Sequence, residues 1–196
     1  MANDFSLSIP KGKAFPETVK AASGEVFPID ADFRTVLKIL RLHGDEGVFG
    51  IQKVLFTLKW FYKGSPPEDA HEALGLLYGF IKGAGQEDDE PKKKADPQFD
   101  YEFDAEEIYV SFIQGYGIDL HEAEFLHWHK FKMLLANLPQ ESAFAQKIKL
   151  RFMDLKKHKG EDYTKMSRAK REVQLPAKHS KEEAAALAEM MEKLRA

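Results

Sequence analysis

The stretch Phe103-Asp104-Ala105-Glu106-Glu107-Ile108-Tyr109-Val110-Ser111-Phe112-Ile113-Gln114-Gly115-Tyr116-Gly117 decides the fold class. Ala105, Ile108, Tyr109, Phe112, Ile113 and Tyr116 recur at steps of three and four, the period of one helix face and not of a strand. Asp104, with Glu107 three residues on, has the reciprocal arrangement that satisfies the first amide groups of a helix. Gly115 and Gly117 end it. Asp119-Leu120-His121-Glu122 repeats the cap pattern, and Trp128, Phe131, Leu134, Leu135 and Leu138 form a second apolar face before Pro139. The two segments predict an antiparallel helical hairpin joined by a glycine turn.

Upstream, Thr18-Val19-Lys20-Ala21 and Glu25-Val26-Phe27-Pro28-Ile29 flank Ala22-Ser23-Gly24 and predict a small β-hairpin, with Pro28 at a strand edge or end. Phe33, Val36, Leu37 and Leu40 then mark helix one, stopped by Gly44. Val48, Ile51, Leu55, Leu58 and Tyr62 mark helix two, stopped by Gly64. Ser65-Pro66-Pro67-Glu68 offers an N-cap for helix three, whose stripe is Ala70, Ala73, Leu74, Leu77 and Ile81. Downstream of Pro139, Phe144, Ile148, Phe152 and Leu155 mark a further helix, and residues 161–173 are basic and weakly periodic. Ser180 caps a last helix with Ala184, Leu187, Met191 and Leu194 on one side.

The chain is therefore expected to be mainly α, a helical bundle built from helical hairpins, with a short N-terminal β-hairpin. Its expected organisation is a hairpin and three helices over 1–83, a charged linker over 84–99, a hairpin core with basic helices over 100–176, and an amphipathic C-terminal helix over 177–196. The first three helices and those of 101–155 either pack together or form two lobes.

The 196 residues are 43% hydrophobic and 31% charged, the profile of a globular chain that can bury one core. The absence of cysteine excludes a disulfide scaffold, a thiolate nucleophile, an iron–sulfur cluster and every zinc site that needs sulfur. No apolar run approaches the ~18 residues of a membrane span, and the opening residues lack a signal-peptide core, so a cytosolic location is expected. Residues 1–146 hold 15 Lys and Arg against 24 Asp and Glu, whereas residues 147–172 hold 10 against 4. Such an asymmetry marks a surface that meets something acidic.

Four features invite a chemical reading. His121-Glu122 with His127 and His129 evokes a zinc hydrolase helix. On one helix, however, His127 falls about 240° from His121, and His129 about 200° from His127, so the three do not converge on a metal. Glu106, Glu107, Glu122 and Glu124 are spaced for capping or solvent, and Gly44, Gly47 and Gly50 lack the lysine-serine ending of a phosphate loop. No catalytic, cofactor-binding or metal-binding residue is assigned, and the chain is expected not to be an enzyme. Lys147, Lys149, Arg151, Lys156 and Lys157 head a basic stretch, running to residue 171, that suits a phosphate backbone or an acidic protein, the acids among them favouring the latter.

Phe27-Pro28-Ile29-Asp30-Ala31-Asp32-Phe33-Arg34, the Trp60-Phe61-Tyr62 close of helix two, and above all Phe103-Asp104-Ala105-Glu106-Glu107-Ile108-Tyr109 through Gln114-Gly115-Tyr116-Gly117-Ile118-Asp119-Leu120 to Leu126-His127-Trp128-His129-Lys130-Phe131 resemble a bacteriophage family. It is known as gene product fifteen, from siphophages and prophages of Gram-positive bacteria. Arg151-Phe152-Met153-Asp154-Leu155 resembles its later segment and Leu175-Pro176 its usual end. The likeness spans roughly residues 16–176 and departs at His129, where the family more often has tryptophan.

The resemblance implies a tail assembly chaperone that coats the helical tape-measure protein, keeps it soluble and helps recruit tail-tube protein. It implies self-association, no cofactor and no membrane, action in the bacterial host cytoplasm, and absence from the mature virion. The expected working surfaces are the hairpin face of Tyr116, Trp128 and Phe131, if part of it is exposed, and the terminal stripe of Leu187, Met191 and Leu194. Two rivals are a nucleic-acid-binding packaging or regulatory protein using residues 147–171, and a structural tail component.

Overall fold

The structure, a computed structural model, describes residues 15–83 and 98–176. The 177–196 helix and nearly all of the 84–99 linker expected from sequence lie outside the described residues. The chain divides into two compact units, residues 1–146 and 147–196, with the division falling inside a helix. The fold is mainly α with one short antiparallel sheet. Its elements are β1 (Thr18–Lys20), β2 (Val26–Pro28), α1 (Phe33–Gly44), α2 (Gly50–Phe61), α3 (Ala70–Lys82), α4 (Ala105–Tyr116), α5 (Trp128–Ala136), α6 (Ala143–Arg151), a 3-10 turn (Leu155–Lys157) and α7 (Gly160–Glu172).

In the first unit, β1 and β2 pair in the register Thr18 to Pro28, Val19 to Phe27 and Lys20 to Val26. β2 ends at Pro28, which has no N–H to donate. The chain then makes one more bridge, Ile29 to Tyr62, which pulls the residue after α2 into an extended conformation. That bridge ends α2, ahead of the expected stop at Gly64. α1 packs on α2 and α5, α3 on α2 and β1, and α4 on α5, so helices on both sides of the 84–97 segment share one core. Its centre is Phe131. The Phe33 and Phe112 rings stack on it at 4.8 and 5.2 Å, and the Trp128 ring at 5.8 Å.

α1 begins where the sequence places it because Asp32 caps it, accepting the Arg34 N–H at 2.9 Å. The same carboxylate accepts the buried Leu126 N–H at 3.1 Å and pairs with the Arg34 guanidinium at 3.2 Å. Arg34 in turn donates to the carbonyls of Leu120 and Ala123. Backbone bonds from Phe33 N–H to the Leu126 carbonyl and from Trp128 N–H to the Ala31 carbonyl complete the seam.

Several expected caps fall elsewhere. α3 is capped by Asp69, four residues after the Ser65 expected for that role. Asp104 precedes α4 but is buried and turns its carboxylate back to the Asp100 N–H. The glycine stop of α4 holds: Gly117 takes φ of 64°, and the Ile118 N–H reaches the Phe112 carbonyl, a closure that favours glycine.

The expected second helix of the hairpin starts later than its cap pattern suggests. Asp119 accepts the His121 and Glu122 N–H groups in a local turn, and the chain stays irregular to Leu126. α5 starts only at Trp128. The two helices are therefore joined by a long side-chain-tied connection and not by a glycine turn.

In the second unit, Arg151 is buried and donates to the Val173 carbonyl at 2.7 Å, while Lys170 reaches the Met153 carbonyl at 2.6 Å. These bonds hold the end of α7 beside the end of α6. The stretch read as weakly periodic, 161–173, is α7 over most of its length.

Replacing Asp32 by Ala removes a cap and leaves the half-buried Arg34 guanidinium and the Leu126 N–H without their anion. The expected cost is about 2–4 kcal/mol, read as a lowered urea midpoint. An unchanged midpoint would show that the seam does not carry the fold.

Candidate functional site

The histidines are brought together differently from the helical expectation. Residues 121–127 are not helical, so His127 stands ahead of α5 as its N-cap. Its ring centroid lies 5.1 Å from that of His129. His127 Nε2 faces the Pro16 carbonyl at 2.9 Å, so it carries the hydrogen, and its Nδ1 accepts the His129 N–H at 3.1 Å. His129 Nε2 donates to the Phe80 carbonyl at 2.7 Å, its ring stacked on Phe80. The Trp128 indole and the Lys132 ammonium donate to the Ile81 carbonyl. Lys132 also reaches the carbonyl of Lys82. The start of α5 thus supplies the donors that the carbonyl end of α3 lacks.

Burial holds both histidines below the usual imidazole range. For His127 the Pro16 carbonyl and Glu17 partly oppose this. For His129 the Phe80 carbonyl opposes it, while Lys132 and His127 reinforce it. His121 is elsewhere, against Tyr109. Among the described residues no group of three or more His, Cys, Asp or Glu could hold a metal ion, and no helix is long and apolar enough to cross a membrane.

The hairpin face expected to meet a partner is interior. Trp128 and Phe131 are 2% and 1% exposed, because they form the aromatic stack that closes the core. Tyr116 is half-buried, its hydroxyl shared between the carbonyls of Leu134 and Asn137 at 2.8 and 2.7 Å. Leu187, Met191 and Leu194 lie outside the described residues.

The basic set is only partly a surface. Lys149, Lys156 and Lys157 are exposed and Lys147 is half-buried, whereas Arg151 is a buried structural residue. Phe152 is exposed beside them.

The face that sequence reasoning missed is on α2. Phe49, Ile51, Leu55 and Phe56 are 75%, 68%, 60% and 43% exposed. The helix is turned against its apparent polarity. Thr57 is fully buried, its hydroxyl 2.8 Å from His43 Nε2, while much of the stripe read from Val48 to Tyr62 faces outward. Trp60 is half-buried under the Lys38 ammonium, 3.8 Å from the ring centroid, and stacks with Phe56 at 5.6 Å. The signal was present in the sequence: apolar residues occur all round this helix, and among the described elements only α1 and α3 pack substantially against it. Part of such a helix stays uncovered.

This arrangement can hold an apolar partner. A family model described as Bacteriophage Gp15 protein matches residues 16–175. No curated protein and no solved structure matches the chain.

Because His127 and His129 are held neutral in the fold, the unfolded chain binds protons more readily as pH falls through about 6.5. Stability is expected to be flat above pH 7 and to drop below 6.5, where a proton on His127 Nδ1 would face the His129 N–H. The urea midpoint should fall between pH 7.5 and 5.5, and His129→Gln should reduce the fall. An equal fall in both proteins would remove His129 as a cause.

Proposed function

The chain belongs to the bacteriophage Gp15 protein family, and on that premise we propose that it is a non-enzymatic tail assembly chaperone that binds the tape-measure protein during tail morphogenesis. The observation that carries this reading is the α2 face: Ile51, Leu55 and Phe56 of the helix, with Phe49 at its N-cap, are left to solvent. Large apolar side chains clustered in one place on a surface mark an interaction site. A long amphipathic polypeptide awaiting assembly needs its own apolar stripe covered, and a small protein with such a face meets that need by binding alone. The protein acts in the host cytoplasm, with tail-tube protein and further copies of itself as additional partners, and leaves the particle before maturation.

Co-expression with the tape-measure protein of the same phage tests the reading. The tape-measure protein should co-purify and its soluble yield should rise, and the triple change Phe49→Ser, Ile51→Ser, Leu55→Ser should reduce both at least tenfold without altering the fold. Mass spectrometry of purified virions should find the chain missing. Failure to co-purify or to raise the yield would end the chaperone reading, and stoichiometric retention in virions would favour a structural tail component.

A second reading has its own support in the second unit, where exposed Phe152 stands among Lys149, Lys156 and Lys157. An aromatic ring among lysines suits a single-stranded nucleic acid. If that reading holds, affinity for single-stranded DNA or RNA falls steeply with salt and is lost on charge reversal of those three lysines. Arg151 is left intact in that test because its removal would disturb the fold.

A further inference from the structure

The α2 face has a polarity of its own. At about 100° per residue, Ile51 and Leu55 form one apolar rail and Phe56 begins a second, with Gln52 and Lys59 between them, while Phe49 stands at the extended N-cap ahead of the helix. All six side chains are exposed. Trp60 continues the second rail and carries the Lys38 ammonium over its ring. From Gly47 to Pro67 the sequence has three lysines, Lys53, Lys59 and Lys63, and no Asp or Glu, although the whole chain has more acids than bases. The nearest acids in sequence, Glu46 and Glu68, lie beyond the two ends of α2. Lys53 is turned to the His43 carbonyl, whereas Lys59 and Lys63 are exposed and have no ion-pair partner among the described residues.

We infer that this face takes an amphipathic helix of a partner polypeptide whose apolar stripe is flanked by carboxylates. The inference rests on the chaperone reading and specifies what the α2 face selects. The apolar stripe of such a helix seats along the Ile51–Leu55 rail, and a carboxylate on its flank meets the Lys59 ammonium beside that rail. Charge complementarity at such a rim supplies discrimination more than raw affinity.

The other occupants fit less well. A second copy docked through the same face would bring Lys59 toward an acid-free surface. A bilayer would submerge Gln52 and Lys59 between the rails, where neither has a partner; membrane-surface helices keep lysines on the face opposite their apolar one.

The test uses the full chain and two labelled synthetic peptides of about 20 residues, each a leucine-striped helix, one flanked by glutamates and one by lysines, read by fluorescence anisotropy at physiological salt. The glutamate-flanked peptide should bind at least tenfold more tightly. Lys59→Glu should weaken it about tenfold and improve the lysine-flanked one, and the Phe49, Ile51, Leu55 serine triple should abolish both.

Equal binding of the two peptides, or an unchanged preference in Lys59→Glu, would overturn the charge selection while leaving the chaperone reading standing. If tape-measure co-purification survives the serine triple, the α2 face is not the site. If co-purification is absent in the unmodified protein but the peptide preference holds, the chaperone reading fails and the face keeps its specificity. Tighter binding to vesicles of anionic phospholipid than to either peptide, lost in the serine triple, would assign the face to a membrane. A concentration-dependent dimer lost in the same variant would assign it to a second copy.

Discussion

A single carboxylate ties the first unit together. Asp32 caps α1, anchors Arg34 and accepts the Leu126 N–H from a segment far along the chain. Through Arg34 it also fixes the carbonyls of Leu120 and Ala123. The connection from α4 to α5 has little regular structure, so these side-chain bonds stand in for a backbone ladder. Once Leu126 is fixed, His127 and Trp128 follow, and with them the donors that close the end of α3 and the rings that stack on Phe131. A charged group at the edge of an aromatic core is costly unless its bonds are made. Here each bond also sets the position of an element.

Where local chemistry and tertiary packing agreed, the elements were legible in sequence. The stripe Phe33 to Leu40 marked α1, the Ala105 to Tyr116 periodicity marked α4, and Gly117 marked its end. The 119–127 stretch was misread for a definable reason. Asp-x-x-Glu is a cap pattern, but Asp119 can satisfy the same two amide groups in an isolated turn, and the Tyr109 hydroxyl, 3.0 Å from Asp119, helps hold that turn. That misreading also separated His127 from His129, because a helical angle was applied where no helix exists.

The candidate surface was harder to read, because periodicity tells which residues share a face and not which face is covered. Trp128 and Phe131, proposed as contact residues, are buried in the core. Ile51 and Leu55, two members of what reads as an ordinary core stripe, are outside. The reversal depends on a polar pair, His43 with Thr57, that spends a buried position on a hydrogen bond and turns the opposite side of α2 to solvent. In the basic segment, composition likewise could not separate Arg151, which holds α6 to the end of α7, from Lys149, Lys156 and Lys157, which are exposed.

The bonds that close the first unit span long stretches of chain: 94 residues from Asp32 to Leu126 and 111 from Pro16 to His127. A ribosome adding roughly 5–20 residues per second delivers the second partner of each pair several seconds after the first. During that interval α1 and the β-hairpin have emerged without the aromatic layer that will cover them, and Phe33 has neither Phe131 nor Phe112 to stack against. Tertiary closure is therefore a late event of synthesis, completed only when the residues around Phe131 have left the exit tunnel. A chain interrupted before that point exposes its core residues together with the α2 face.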